Sequence, residues 1–339
     1  MERLLEINDL HVSFKMYKGE IQAVRGVSFH LEAGETLAIV GESGSGKSVT
    51  AQAIMGMIPK PHGRIKNGNI IFKDKEITTL SKKQLQKLRG KEIGMVFQDP
   101  MTSLNPTMKI GHQIDEVFIK KQKATKKEAK EKTIELMKSV GIADAETRYS
   151  QYPHEFSGGM RQRIVIAIAL ACNPAIIIAD EPTTALDVTI QAQILTLLRK
   201  IQTEKNSSIL LITHDLGVVA EVADRVAVMY AGMVIETGTV TEIFEQPKHP
   251  YTWGLLRSVP KPDAIGKERL IPIEGTPPDL FSPPKGCPFA ARCPHAMEVC
   301  VEHMPGAENF SDSHQARCWL NDPRAQAHLQ VAAGGENLV

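Results

Sequence analysis

The run Gly41-Glu42-Ser43-Gly44-Ser45-Gly46-Lys47-Ser48 limits what this chain can fold into more than any other stretch. It follows an apolar strand, Thr36 to Val40. It precedes a segment, Val49 to Met57, that reads as a helix ended by Pro59-Lys60-Pro61-His62-Gly63. The pattern is G-x-x-x-x-G-K-[ST] in a strand–loop–helix setting. Glycines allow backbone N–H groups to turn inward without a Cβ clash, and those groups, with the helix N-terminus behind them, bind anionic phosphates. Gly41, Ser43, Gly44, Ser45, Gly46 and Val49 are therefore candidate nucleotide contacts. Lys47 is expected to reach the β- and γ-phosphates, and the Ser48 hydroxyl to bind Mg²⁺.

A second phosphate-handling element is Ala175-Ile176-Ile177-Ile178-Ala179-Asp180-Glu181. A β-branched, buried strand delivers Asp180 to the sheet edge, where it can hold Mg²⁺ through water. Glu181 then sits near the γ-phosphate and can orient or deprotonate the attacking water. Strands also read at Asn69 to Phe72, Ile93 to Phe97, Ser208 to Thr213, Arg225 to Met229 and Val234 to Glu236, and their alternation with helices predicts an α/β fold. Residues 99–154 differ. Ile110, Ile114, Val117 and Phe118, then Ala129, Thr133, Leu136, Met137 and Val140, fall at helical spacing and predict a helical insert. The lysines between Lys120 and Lys132 read as a solvated face, with contact to anionic headgroups as the alternative.

Length and charge restrict the function classes. At 339 residues the chain has room for about two domains. Lys+Arg 40 against Asp+Glu 39 gives a net charge of +1, so no strong pull toward nucleic acid is expected. No apolar run approaches the roughly 18 residues of a membrane span, and MERLLEINDL lacks the apolar core of a signal peptide. A cytosolic protein that reaches a membrane by docking is expected.

Four further segments resemble ABC ATPases. Phe156-Ser157-Gly158-Gly159-Met160-Arg161-Gln162-Arg163 resembles the signature motif, with Phe and Met replacing the commoner Leu and Gln. Gln98 stands where that family has its Q-loop, Ala185-Leu186-Asp187 matches the D-loop, and His214 matches the switch histidine. The resemblance covers residues 1 to about 245. It implies a P-loop NTPase core with an antiparallel β subdomain and the helical insert. It also implies that two ATPases face head to tail, each ATP lying between one Lys47-type loop and the partner's Ser157-Gly158-Gly159 helix start. Glu181, His214 and Gln98 take the catalytic roles, Gln98 also sensing Mg²⁺, and Asp187 lies at the nucleotide interface. An aromatic near the N-terminus stacks on adenine: Phe14, with Tyr17 as the alternative.

Over almost its whole length the chain resembles the ATP-binding subunits of dipeptide and oligopeptide permeases. The resemblance is carried by Gln98 to Pro106, Gln151 to Phe156, Lys248 to Leu256 and Gly286 to Pro294. It implies an ATPase on the cytoplasmic face of the plasma membrane, docked on two transmembrane permease subunits and paired with a second, paralogous ATPase. An extracytoplasmic peptide-binding protein delivers the substrate; nickel or glutathione import, or a soluble iron–sulfur ABC factor, are the alternatives. The implied division is 1–98 and 155–245 for the ATPase core, 99–154 for the helical part, and 246–339 for a small Cys-rich C-terminal domain. Residues 247–294 hold eleven of the 20 prolines, so few regular elements are expected there. Cys287, Cys293, Cys300 and Cys318 follow as C-x5-C-x6-C-x17-C. Four clustered thiols in a reducing compartment suggest a metal site, a [4Fe–4S] cluster given the wide loops, with zinc or free, regulatory thiols as the alternatives.

Overall fold

A computed structural model describes residues 2–17, 19–184, 186–258 and 272–325. Its strands in chain order are β1 (Arg3–Met16), β2 (Gly19–Glu32), β3 (Thr36–Val40), β4 (Gly63–Phe72), β5 (Lys75–Glu76), β6 (Ile93–Val96), β7 (Ile176–Asp180), β8 (Ser208–Thr213), β9 (Arg225–Tyr230), β10 (Met233–Thr239), β11 (Glu308–Asn309) and β12 (Gln315–Ala316). They form two sheets. One is antiparallel with order β2-β1-β4-β5, and the other has order β11-β12-β10-β9-β3-β8-β7-β6.

In the larger sheet β6, β7, β8, β3 and β9 run parallel. Every residue of β3, β7 and β8 is buried, as expected of parallel strands covered on both faces. Because these strands share one direction, the segments leaving their C-terminal ends meet on one edge. Those segments carry Gly41–Gly46, Asp180–Glu181, Gln98 and His214, the usual place for ligand chemistry in an open α/β sheet.

The helices Ile110–Gln122 and Lys126–Ser139 bury Ile110, Ile114 and Phe118, and Ala129, Thr133 and Met137, against the helix Gly158–Leu170. A Thr125/Glu128 capping box starts the second helix. Between the helices, Thr133 Oγ1 donates to Asp115 Oδ1 (2.7 Å), and Tyr149 donates to the other Asp115 oxygen.

The proline-rich stretch is more regular than its composition predicts. Pro250–Arg257 is a helix, since Pro250 stands in its first turn, where the missing N–H has no partner to lose. The stretch also shares the sheet's core: Tyr251, Cys287, Phe289 and Cys300 pack with Val40, Val226, Val228 and Tyr230. β12 extends the sheet by pairing with β10.

Candidate active site

The loop after β3 is shaped by backbone crowding. A Cβ on Gly41 would lie 2.1 Å from the Met229 carbonyl oxygen, and one on Gly46 would lie 2.5 Å from that of Ala23. Both residues have positive φ (149° and 99°), so no other residue type fits these turns. Lys47 Nζ donates to the carbonyl oxygens of Gly41 (2.7 Å) and Glu42 (2.9 Å), which folds the ammonium back over the loop. Burial lowers its pKa, while the carboxylates of Glu181, Asp180 and Glu42 act to raise it. Ser43 and Gly44 are exposed, and Ser45 Oγ is buried with no hydrogen-bond partner among the described residues. An orphaned hydroxyl inside a cradle of N–H groups suits an anionic oxygen ligand.

Ser48 Oγ donates to Asp180 Oδ1 (3.0 Å), joining the loop to the end of β7. Burial raises the Asp180 pKa, with Ser48 opposing the shift. A hydroxyl and a carboxylate are the hard oxygen donors Mg²⁺ prefers, so this pair fits the ion. Glu181 adopts a left-handed backbone (φ 48°), uncommon for a non-glycine residue, and its N–H donates to Ile212 O (2.8 Å). Its carboxylate gathers the other predicted groups. Gln98 Nε2 donates to Oε2 (2.8 Å), Thr184 Oγ1 donates to the same oxygen (3.0 Å), and His214 Nδ1 lies 3.4 Å from Oε1. Gln98, Glu181 and His214 therefore form one cluster beside Asp180, Lys47 and Ser48. Such a cluster can hold a triphosphate, orient a water and accept its proton.

Other predicted residues lie elsewhere or do other work. Ser157 caps the helix Gly158–Leu170, accepting from Met160 N–H (3.4 Å). Among the described residues no hydrogen bond or ion pair joins Ser157, Gly158 or Gly159 to Gly41–Ser48, Asp180 or Glu181. Asp187 caps the helix Val188–Lys205 through Ile190 N–H (2.9 Å), and Ala185 lies outside the described residues. Val49 and Phe14 are half-buried and pack on the core, whereas Tyr17, in the turn after β1, is fully exposed.

The metal expectation for the cysteines is overturned. Among the described residues no group of three or more His, Cys, Asp or Glu side chains is placed to hold a metal ion. Cys287 and Cys300 belong to the apolar core, with Cys293 packed against it. Burial pushes Cys287 up to about 11 and Cys318 up to about 12, and raises Cys293 too, as expected of thiols set in apolar surroundings. Two nearby histidines have other contacts: His314 Nε2 pairs with Glu236, and the His295 ring packs edge-on against Trp253. Neither the [4Fe–4S] nor the zinc reading stands.

Comparison with known proteins matches residues 11–184 to the family described as ABC transporter. The oligopeptide transport ATP-binding protein OppD of Bacillus subtilis is 62% identical over 323 residues, covering 95% of this chain and 90% of that protein. The chain belongs to the ABC transporter family. This ABC ATPase accordingly binds ATP with Mg²⁺ and hydrolyses it. The dipeptide transport ATP-binding protein DppD of Bacillus subtilis is 60% identical, covering 96% of this chain and 97% of that protein. Residues 235–300 match the family described as oligopeptide/dipeptide transporter, C-terminal region. Among solved structures, a dimeric ATP-binding cassette in a post-hydrolysis state with ADP and phosphate has a TM-score of 0.63 at 28% identity, covering 70% of this chain and 98% of that one. CbiO1 from Clostridium perfringens, part of an ABC transporter complex, has a TM-score of 0.62 at 31% identity, covering 73% and 92%.

Sequence reasoning missed three groups that touch this ABC ATPase's site: Thr184 on Glu181, and Tyr251 and Arg292 on Glu42. Tyr251 and Arg292 lie in stretches that carry the permease resemblance. Only the folded structure brings them to the loop.

Proposed function

We propose that this ABC ATPase powers uptake of dipeptides or oligopeptides. One observation carries the reading: two Bacillus subtilis relatives named for oligopeptide and dipeptide transport match it at 62% and 60% identity over 95% and 96% of the chain, and residues 235–300 match the C-terminal region of such transporters. Among the described residues no helix is long and apolar enough to cross a membrane. The chain then works from the cytoplasmic face, on two membrane-spanning permease subunits that receive peptide from an extracytoplasmic binding protein. Residues 1–98 and 155–245 serve as the ATPase core, 99–154 as the helical part that meets the permease, and 246–339 as a small C-terminal domain of the peptide-permease type. Phe14 or Tyr17 stacks on adenine. The test is uptake of labelled dipeptide by cells lacking the chain. Wild type is expected to restore it and Glu181→Gln is not; restored uptake of nickel or glutathione without peptide would overturn the reading.

Pairing with a second, paralogous ATPase is part of the same proposal. Ser157 and Gly158 are exposed and unlinked to their own loop, which suits a helix start that closes on a neighbour's γ-phosphate. Among the described residues a Cβ on Gly158 would meet only Leu186, at 3.8 Å, which leaves room for a side chain there. Gly158→Asp is therefore expected to leave ATP binding by the single chain intact. It should cut hydrolysis by the assembled pair by about a hundredfold, the scale of losing one charge-stabilising group. Comparing nucleotide titration with steady-state hydrolysis checks it, and equal losses in both would argue against the arrangement.

A further inference from the structure

Glu42 holds the second position of the phosphate loop, and both of its polar ends are gripped from far along the chain. Its N–H donates to Tyr251 Oη (2.8 Å), 209 positions away. Its carboxylate takes a two-pronged bond from Arg292, 250 positions away, Nη1 to Oε2 at 2.7 Å and Nη2 to Oε1 at 3.1 Å. Arg292 spends its remaining donors nearby: Nη1 also reaches Tyr230 Oη (3.1 Å), Nη2 reaches Ile273 O (3.0 Å) and Nε reaches Glu274 O (2.9 Å). A guanidinium has five N–H donors in a rigid plane, and here all five have acceptors. The side chain is only 5% exposed, with its charge 5.8 Å from the Tyr230 ring centroid and 5.9 Å from that of Phe289. Arg292 is thus fixed in one pose and can serve as a rigid support.

Two consequences reach the nucleotide. The Glu42 carbonyl accepts from Lys47 Nζ, so hydrogen bonds run unbroken from the C-terminal segment through Glu42 to the phosphate-binding lysine. The Glu42 carboxylate is also a negative charge in a loop built to receive a triphosphate. Left unpaired and partly desolvated, it would repel that anion. Arg292 cancels the charge where it stands.

We propose that Arg292 is a positioning residue for ATP: with Tyr251 it anchors the start of the phosphate loop from the C-terminal segment, and it neutralises the loop's own carboxylate. The inference rests on Gly41–Ser48 being the ATP cradle.

Calorimetric titration of the full-length chain with MgATP tests it. Arg292→Ala is expected to weaken binding about tenfold, equivalent to about 1.4 kcal/mol. The Glu42→Gln/Arg292→Ala double variant is expected to recover most of that loss, because the exposed charge is gone. Arg292→Lys keeps charge without the fork and should fall between. The control is Arg225→Gln, which breaks a comparably buried pair with Glu35 (2.9 Å) at the opposite end of β3. It should lower the thermal midpoint without changing affinity. Unchanged affinity in Arg292→Ala, or a double variant no better than the single, overturns the proposal. If Arg292→Ala does not fold, the same comparison is made with Arg292→Gln. Lys47→Ala separates the two levels. Normal ATP binding in that variant removes the cradle itself, whereas lost binding there with none lost in Arg292→Ala removes only the role of Arg292.

Discussion

Glu181→Gln is expected to reduce ATP hydrolysis by the assembled transporter by about 10²- to 10⁴-fold, the range a positioned general base supplies. The substitution is nearly isosteric and conserves an oxygen able to accept from Gln98 and Thr184, so folding and nucleotide binding should persist. What it removes is the charge that orients water and takes up its proton. Lys47→Ala is expected to fail one step earlier. It empties a buried position whose ammonium faces three carboxylates, and it deprives the phosphates of their nearest cation. Single-turnover hydrolysis together with equilibrium ATP titration distinguishes the two: Glu181→Gln should bind and not turn over, and Lys47→Ala should bind poorly. Hydrolysis at even a tenth of the wild-type rate in Glu181→Gln would move the base role to another group. His214, whose Nδ1 lies 3.4 Å from the same carboxylate, is the group to examine next.

These residues are legible in the sequence because each follows a short apolar strand and the strands are parallel neighbours. Once β3, β8, β7 and β6 are recognised, the residues after them must converge on one edge. β4 shows where such legibility ends. Only Asn69 to Phe72 reads as strand, yet pairing with β1 extends it back to Gly63, because Arg64 and Lys66 point outward and are tied by Glu20. The cysteines fail for a related reason. Spacing along the chain says how far apart thiols are in sequence, but not whether the fold leaves them open as ligands or buries them in an apolar core, as it does Cys287 and Cys300. Arg292 was hidden differently: its residue type is unremarkable for a loop, and its partner is 250 positions earlier.

Glu236→Ala is expected to be among the most damaging substitutions outside the nucleotide site. The Glu236 carboxylate on β10 is fully buried and serves four donors or partners. Lys248 N–H reaches Oε1 (2.6 Å), His249 N–H reaches Oε2 (3.1 Å), Thr252 Oγ1 reaches Oε2 (2.6 Å), and His314 Nε2 pairs with Oε1 (2.9 Å). It ties the sheet to the start of the helix Pro250–Arg257 and to the turn before β12. Removing it leaves the buried His249 N–H, the half-buried Lys248 N–H and the buried Thr252 hydroxyl without an acceptor, a loss of about 3–5 kcal/mol when one side of a buried pair is deleted. At the usual scaling for a domain of this size, the thermal midpoint should drop by roughly 10 °C, readable by calorimetry. Limited proteolysis should open the chain after residue 245 before it opens the central sheet. The consequence extends to ATP. Tyr251 and Arg292 reach the phosphate loop only while this segment is docked, so Glu236→Ala should weaken nucleotide binding without any direct contact to the loop. A variant that melts early yet binds MgATP as tightly as wild type would show that the loop holds its shape without the segment.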